Sequence, residues 1–136
     1  MPLCPDMETV RIAALAALVV LVLSAGTSEA AGDATRGEQI YSRCLACHSL
    51  ERDRTGPRHC GLIGRRAGSL PGFGYSPAMR DSGIVWSERT LDRFLADPMR
   101  NVPGTAMTYA GIDDARERAD LIAYLKLAGS SEKLCR

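Results

Sequence analysis

Two stretches of the chain place apolar residues three or four positions apart, which is the spacing that gives a helix one apolar face. In the first stretch, Leu91, Phe94 and Leu95 follow Ser87, a residue type that commonly caps the start of a helix. Pro98 is expected to stop this helix, because proline cannot continue the hydrogen-bond ladder. We therefore predict an amphipathic helix between residues 87 and 98.

The second stretch lies near the carboxyl terminus and has the clearest helical pattern. It begins at Asp114, which forms a capping-box pattern with Glu117 three residues later. Gly129 is the expected C-cap of this helix. Its apolar face consists of Leu121, Ile122, Tyr124 and Leu125.

Two further helices are predicted from their end signals. Asp33 can cap a helix that leads into the cysteine at position 44, and Gly37 within it indicates a point where another helix crosses closely. Ser76 followed by Pro77 marks the start of a short helix that ends at Gly83.

The rest of the chain after residue 30 is predicted to form loops. Glycine and proline interrupt every period between residues 49 and 75, and a second loop is expected between residues 98 and 112. A structureless loop this long is expected to wrap around something. Ile84-Val85-Trp86 is the one stretch with any strand character, so the pattern predicts an all-α domain of three to four helices and long loops.

The first thirty residues have the pattern of a secretory signal peptide. Arg11 precedes an unbroken apolar run over residues 12–23, which is short for a membrane span. Small residues at Ser28 and Ala30 fit a signal peptidase site, so we predict a cleaved leader over 1–30 and a single domain over 31–136. Met7 is an alternative start. An uncleaved membrane anchor is the alternative interpretation of this segment.

Composition and charge limit the functions that the chain is expected to have. The chain has 136 residues, of which 46% are hydrophobic and 24% charged, values typical of one globular domain. It carries 17 basic and 16 acidic residues, and loss of residues 1–30 would leave a net charge of +3. No basic stripe with interleaved aromatic residues appears, which argues against a nucleic-acid partner.

Cys44-Leu45-Ala46-Cys47-His48 is an attachment signature for covalent haem. On one helical turn, residues three apart face the same way, so both sulfurs can form thioethers with the two vinyl groups of one porphyrin. His48 is then placed to supply the proximal nitrogen to the iron. A zinc half-site needs a second ligand pair and a thioredoxin-like redox pair needs a βαβ context, and neither accompaniment is evident.

The remaining cysteines suggest a disulfide. Of five cysteines, Cys4 lies in the predicted leader and Cys44 and Cys47 would hold haem, which leaves Cys60 and Cys135. Two such thiols in an oxidising compartment are a candidate pair. The alternative is that Cys60 fills a small site and Cys135 lies in a frayed tail.

The sixth position of the iron has four candidate ligands in the sequence: Met79, Met99, Met107 and His59. Met107 follows a Pro-Gly turn, the kind of rigid loop that can aim a thioether at a metal, and is therefore favoured.

Taken together, these motifs resemble a mitochondrial-type class I cytochrome c in its bacterial periplasmic form. The similarity covers residues 32–128 in order and spacing. The matching segments are Gly32-Asp33 with Gly37 and Tyr41, the haem motif, Thr55-Gly56-Pro57, 61–65, 71–75, 83–86, 103–107 and 118–126.

The resemblance implies the class I cytochrome c fold around one covalent haem c, and it implies roles for individual residues. Met107 is the implied axial ligand opposite His48, and the carbonyl of Pro57 is the implied acceptor for the His48 ring N–H. Tyr75 and Trp86 match residues that hydrogen-bond a haem propionate. Arg65 matches an arginine that offsets propionate charge, and Thr105 matches a threonine beside the methionine loop. The predicted site residues are thus Cys44, Cys47, His48, Pro57, Arg65, Tyr75, Trp86, Thr105 and Met107.

The chain also departs from the family pattern. Phe94 stands where a tyrosine is common, Met79 where an asparagine is usual, and His59-Cys60 where the family has Leu-His. Arginines replace the usual lysines around the haem edge.

The implied function is that of a soluble, monomeric periplasmic one-electron carrier, not an enzyme. A cytochrome bc complex, a terminal oxidase, a reaction centre or a periplasmic dehydrogenase would fit as redox partner. The alternatives are a haem subunit of a membrane complex and a haem protein that reacts with peroxide or a small gas.

Overall fold

The computed structural model describes residues 31–136, so the predicted leader and its cleavage site lie outside the described residues. The described part of the chain contains five α-helices and no named strand. They are α1 (Ala34–Tyr41), which continues as a 3₁₀ turn over Ser42–Cys44, α2 (Pro77–Asp81), α3 (Glu88–Ala96), α4 (Pro98–Asn101) and α5 (Ala115–Gly129). The all-α prediction is confirmed.

The predicted start signals operate at four helices, and at α5 the Asp114 carboxylate accepts from the backbone N–H groups of Arg116 and Glu117. The Asp33 carboxylate accepts hydrogen bonds from two backbone N–H groups in the first turn of α1. The Ser76 hydroxyl caps α2 in the same way. Ser87 and Thr90 exchange backbone and side-chain hydrogen bonds at the start of α3, which makes a reciprocal capping box.

Helices α1 and α5 cross in close contact, and the contact depends on Gly37. A Cβ on Gly37 would lie 2.0 Å from the Asp120 carbonyl oxygen of α5, so no larger residue fits without displacing one helix. Beside this point, the rings of Tyr41 and Tyr124 pack with centroids 5.2 Å apart. The prediction that Gly37 marks a helix crossing is confirmed.

The apolar faces of α3 and α5 contribute a large part of the core. Leu121 is 1% exposed, and Leu91, Phe94, Leu95, Ile122 and Leu125 are all buried. The predicted helix faces are therefore the faces that pack inward, with Tyr124 half-buried at their edge.

Three details of the sequence prediction are wrong. Gly129 is the last residue of α5 and Ser130 is its C-cap, because the backbone at Gly129 closely approaches a loop: its carbonyl accepts from Gly61 N at 2.9 Å. The Glu117 carboxylate does not complete a capping box with Asp114, since it pairs with Arg43 at 2.8 Å.

The third correction concerns the predicted loop after Pro98, which opens with helix α4. The Asp97 carboxylate caps this helix by accepting from Arg100 N at 3.0 Å, and Pro98 occupies its first turn. Pro98 therefore ends one helix and begins another.

The segment over residues 49–75 has neither helix nor strand, as predicted. Its one regular pairing is an isolated antiparallel bridge from Arg66 to Val85. Val85 belongs to the stretch over 84–86 that was predicted to have strand character. None of the helices within residues 31–136 combines the length and apolar character needed to cross a membrane.

Candidate functional site

The Cys44–His48 motif forms one helical turn that continues the 3₁₀ turn after α1. The backbone N–H of His48 donates to the Cys44 carbonyl at 2.8 Å, and Cys47 N donates to the same oxygen at 3.1 Å. Both thiols are free; Cys44 is half-buried and Cys47 exposed. The turn thus presents two thiols at the spacing that the sequence predicts.

The His48 ring is buried and held through one of its nitrogens. Its Nδ1 atom lies 2.8 Å from the carbonyl oxygen of Pro57, so the ring donates there and leaves Nε2 available as a ligand. A Cβ on Gly56 would lie 2.2 Å from Cε1 of the ring, so this position must be glycine. Burial lowers the pKa of His48, while the hydrogen bond to Pro57 acts in the opposite direction. The environment therefore favours the neutral imidazole, the form that binds a metal.

A cavity of about 490 Å³ opens beside His48, a volume typical of sites for cofactors and small ligands. It is lined largely by apolar and aromatic side chains from α2, α3 and α5 and from the loops. All nine residues predicted for the haem site line it: Cys44, Cys47, His48, Pro57, Arg65, Tyr75, Trp86, Thr105 and Met107. No carboxylate from the described part of the chain lines this cavity.

The four candidate ligands for the sixth position differ in their placement. Met99 is 49% exposed and does not line the cavity. Met79, on α2, is buried in the cavity wall. Met107 lies in the cavity on the loop between α4 and α5, where its backbone N–H donates to the Thr105 hydroxyl at 3.3 Å.

His59, the fourth candidate, lies against the face of the His48 ring, with ring centroids 4.4 Å apart and planes 23° apart. Its Nδ1 is 3.1 Å from the Tyr41 hydroxyl. Burial, together with electrostatic effects of His48 and of the Arg65 cation, lowers the pKa of His59 to about 3, so the ring is neutral at neutral pH. A residue stacked on His48 and hydrogen-bonded to Tyr41 is poorly placed to bind the opposite face of a cofactor.

The Arg65 guanidinium is half-buried at the cavity wall. It donates to the carbonyl oxygens of Cys60 and Arg58, both at 2.8 Å, and among residues 31–136 it forms no ion pair with a carboxylate. Burial lowers the pKa of Arg65, which means that its charge is incompletely compensated. An anionic group in the cavity would provide that compensation, as a haem propionate does.

Phe94 lines the cavity and packs against Trp86, with ring centroids 5.1 Å apart. At the position where the family commonly has a tyrosine, this wall therefore carries no hydroxyl group.

Cys60 and Cys135 lie outside the cavity lining, and the structure joins them in a disulfide with Cα atoms 5.5 Å apart. The bridge spans 75 positions of sequence and ties the segment after α5 to the loop that carries His59.

Several wall residues were not predicted as parts of the site. Tyr41, Leu62, Phe73, Leu91 and Ile112 are examples. The apolar periodicity of α3 indicated that Leu91 is buried, but not that it faces a cofactor cavity. The stacking of His59 on His48 had no sequence signal beyond its position two residues after Pro57.

The donor set of the cavity fits a covalently attached haem. It combines two free thiols on one turn, an imidazole with one nitrogen committed to a carbonyl, a thioether, apolar walls and a half-buried cation. These are the groups that hold a porphyrin by thioethers and ligate its iron on two sides.

Comparison with known proteins agrees with this geometry. The family model described as Cytochrome c matches residues 34–128. Cytochrome c2 of Rhodomicrobium vannielii is 42% identical over 122 residues, which covers 88% of this chain and 95% of that protein. Cytochrome c of Tetrahymena pyriformis is 50% identical over 97 residues, covering 70% of this chain and 88% of that protein. Among solved structures, cytochrome cH from Methylobacterium extorquens superposes with a TM-score of 0.69 at 42% identity, covering 71% of this chain and 99% of that one.

Proposed function

The chain belongs to the class I cytochrome c family, a family of monohaem electron carriers with one covalently attached haem c, and on that premise we propose which of its residues hold the haem. Cys44 and Cys47 would form the two thioethers, and His48 and Met107 would ligate the iron. When bound, the haem supplies an iron that changes between the ferrous and ferric states, which is the one-electron chemistry of the family. The observation that carries the assignment is that these four side chains line a single cavity.

The surrounding residues orient the ligands and keep water away. The Pro57 carbonyl accepts a hydrogen bond from the Nδ1–H group of His48 and thereby fixes the tautomer and the direction of Nε2. Thr105 holds the backbone of the loop at Met107. Arg65, Tyr75 and Trp86 form the part of the wall that faces the propionates in our assignment.

Electron transfer suits this cavity better than catalysis on a substrate. With His48 and Met107 both holding the iron, no ligand position would be left for a substrate. The described cavity lining also lacks a carboxylate, and its second histidine, His59, is stacked on His48 and engaged with Tyr41, so the lining offers neither a carboxylate nor a free imidazole for acid–base catalysis. Both features argue against the peroxide- or gas-reactive alternative.

We further propose that the mature protein begins after Ala30 and works as a monomer in the periplasm. The support is the leader pattern over 1–30 and the fact that c-type haem is attached outside the cytoplasm. Its redox partner would be a cytochrome bc complex, a terminal oxidase, a reaction centre or a periplasmic dehydrogenase. Because fast turnover requires fast release, the contact with that partner should be small and transient.

Intact-mass spectrometry of the protein, expressed in a host that attaches c-type haem, tests this assignment. We expect one haem per chain that resists acid–acetone extraction, and a start at Ala31 in the periplasmic fraction. Cys44→Ala and Cys47→Ala should each remove one thioether and shift the absorption of the pyridine haem complex. Extractable haem in the unmodified protein would contradict the assignment, and retention of residues 1–30 in a membrane fraction would instead favour the anchored alternative.

A further inference from the structure

The His48 imidazole is in contact on three sides with other parts of the chain. Its Nδ1 is bonded to the Pro57 carbonyl, the Gly56 backbone lies against its Cε1 edge, and the His59 ring is stacked on its face. The first two contacts limit where the ring can point. The third limits how the ring can rotate about its own axis, because rotation would break the stack between two rings only 23° from parallel.

The His59 ring is itself fixed in place. The Tyr41 hydroxyl and its Nδ1 share a hydrogen bond of 3.1 Å, and the Tyr41 ring lies edge-on to it with centroids 5.6 Å apart. Tyr41 is 3% exposed and packs against Tyr124 of α5. His59 is therefore held by the crossing of α1 and α5, the most extensive helix–helix contact in residues 31–136, and cannot readily follow a rotation of His48.

We propose that His59 is a positioning residue that sets the orientation of the His48 ring plane and thereby tunes the electronic state of the iron. The proposal rests on the assignment of His48 as an axial ligand. In general, the groups that contact a ligating histidine fix its orientation and adjust its strength as a donor. An aliphatic residue at position 59 would fill space beside His48, but it would offer neither a flat face for stacking nor a hydrogen-bond partner for Tyr41.

Three variants distinguish a role of the His59 ring in stacking on His48 from a role in merely filling space beside it. His59→Leu removes the flat face and the hydrogen bond and keeps much of the bulk. His59→Phe keeps a flat ring and removes the hydrogen bond. Tyr41→Phe keeps both rings and removes only the hydroxyl that fixes His59. Met99→Leu, at an exposed position outside the cavity lining, is the matched control.

The readout is the pattern of hyperfine-shifted haem methyl resonances in the oxidised holoprotein, because this pattern depends on the plane of the axial imidazole. The reduction potential is measured on the same samples. We expect a changed methyl pattern and a shifted potential in His59→Leu, a smaller change in the same direction in His59→Phe and Tyr41→Phe, and no change in Met99→Leu. A wild-type pattern and potential in His59→Leu would overturn the proposal.

If His59→Leu yields no holoprotein, Tyr41→Phe decides the question, since an unchanged pattern there overturns the proposal and a changed pattern supports it. A failure of the underlying assignment looks different. In that case the wild-type protein itself would lack the covalent haem or the near-infrared methionine-to-iron band, before any variant is compared.

Discussion

Arg36 and Asp120 form an ion pair with Nε 2.8 Å from Oδ2, although the side chain of Asp120 is only 3% exposed. The same carboxylate accepts from the backbone N–H of Asp33 at 2.6 Å, so it joins the start of α1 to the middle of α5. The hydrogen bonds from Arg36 and Asp33 lower the pKa of Asp120 below its ordinary value.

This pKa shift predicts how stability depends on pH. The carboxylate stabilises the fold above the ordinary unfolded-chain pKa of about 4, and the stabilisation is lost as the pH falls through the lower folded-state value. Asp120→Asn should therefore be less stable than wild type at neutral pH, with the difference shrinking under acid. Thermal unfolding of the holoprotein between neutral and acidic pH measures this. The control is Asp113→Asn, at an exposed position, and equal acid sensitivity in wild type and Asp120→Asn would count against the prediction.

Gly37→Ala should destabilise the protein although alanine is the better helix former. The added methyl would lie 2.0 Å from the Asp120 carbonyl oxygen and 2.7 Å from Tyr124 Cβ, so α1 and α5 must separate. We expect a loss of about 1–3 kcal/mol, the usual cost of overpacking, in place of the gain of about 1 kcal/mol at a free helical site. Denaturant unfolding checks this against Glu38→Ala, at the exposed neighbouring position. A stabilised Gly37→Ala variant would show that the two helices have room to spare.

The contact between Asp120 and α1 is a feature that could not be predicted from the sequence. Periodicity located α5 and the face that carries Leu121. From the sequence alone, however, a buried acidic residue such as Asp120 cannot be distinguished from an exposed one unless its partner is known. Arg36 is 84 positions away, and nothing local links the two. His48 and Met107 could be predicted as cavity residues because a short motif marks the first, and a turn together with the family resemblance favours the second.

Helix α4 illustrates a different limit. Its start signal, Asp97 followed by Pro98, is of the same kind as Ser76 followed by Pro77, which correctly predicted α2. With four residues, however, α4 is too short to show an apolar period, and Pro98 was already interpreted as a stop. Gly129 was misinterpreted for a related reason: glycine at a helix end can mark a cap or a close backbone approach, and only the position of the His59 loop separates the two.

The Cys60–Cys135 disulfide should contribute about 2–4 kcal/mol to stability, because it closes a long loop in the unfolded chain. Cys135→Ser should lower the denaturation midpoint to that of the reduced wild-type protein, while leaving the absorption spectrum of the haem unchanged. Thiol titration of the native, air-exposed protein gives an independent check. Two titrating thiols there would mean that the bridge is absent in solution.

Arginines beside the attachment motif should steer an acidic redox partner. Arg54 is exposed and donates to the Leu45 carbonyl, which places its charge next to the haem cysteines. We expect Arg54→Glu to slow electron transfer several-fold at low salt and the wild-type rate to fall as ionic strength rises. Stopped-flow measurement with the physiological partner tests this, with Arg89→Glu on α3, outside the cavity lining, as control. Rates that do not respond to salt would indicate an apolar docking surface.

The most direct test of the assigned site is the near-infrared absorption of the oxidised protein, measured together with its reduction potential. A thioether ligand gives a methionine-to-iron band and favours the ferrous state. We predict that Met107→Ala abolishes the band and lowers the potential. Met79→Ala, in the same cavity wall, and Met99→Ala, at an exposed position, should keep the band. An intact band in Met107→Ala, with its loss in Met79→Ala or Met99→Ala, would contradict the assignment.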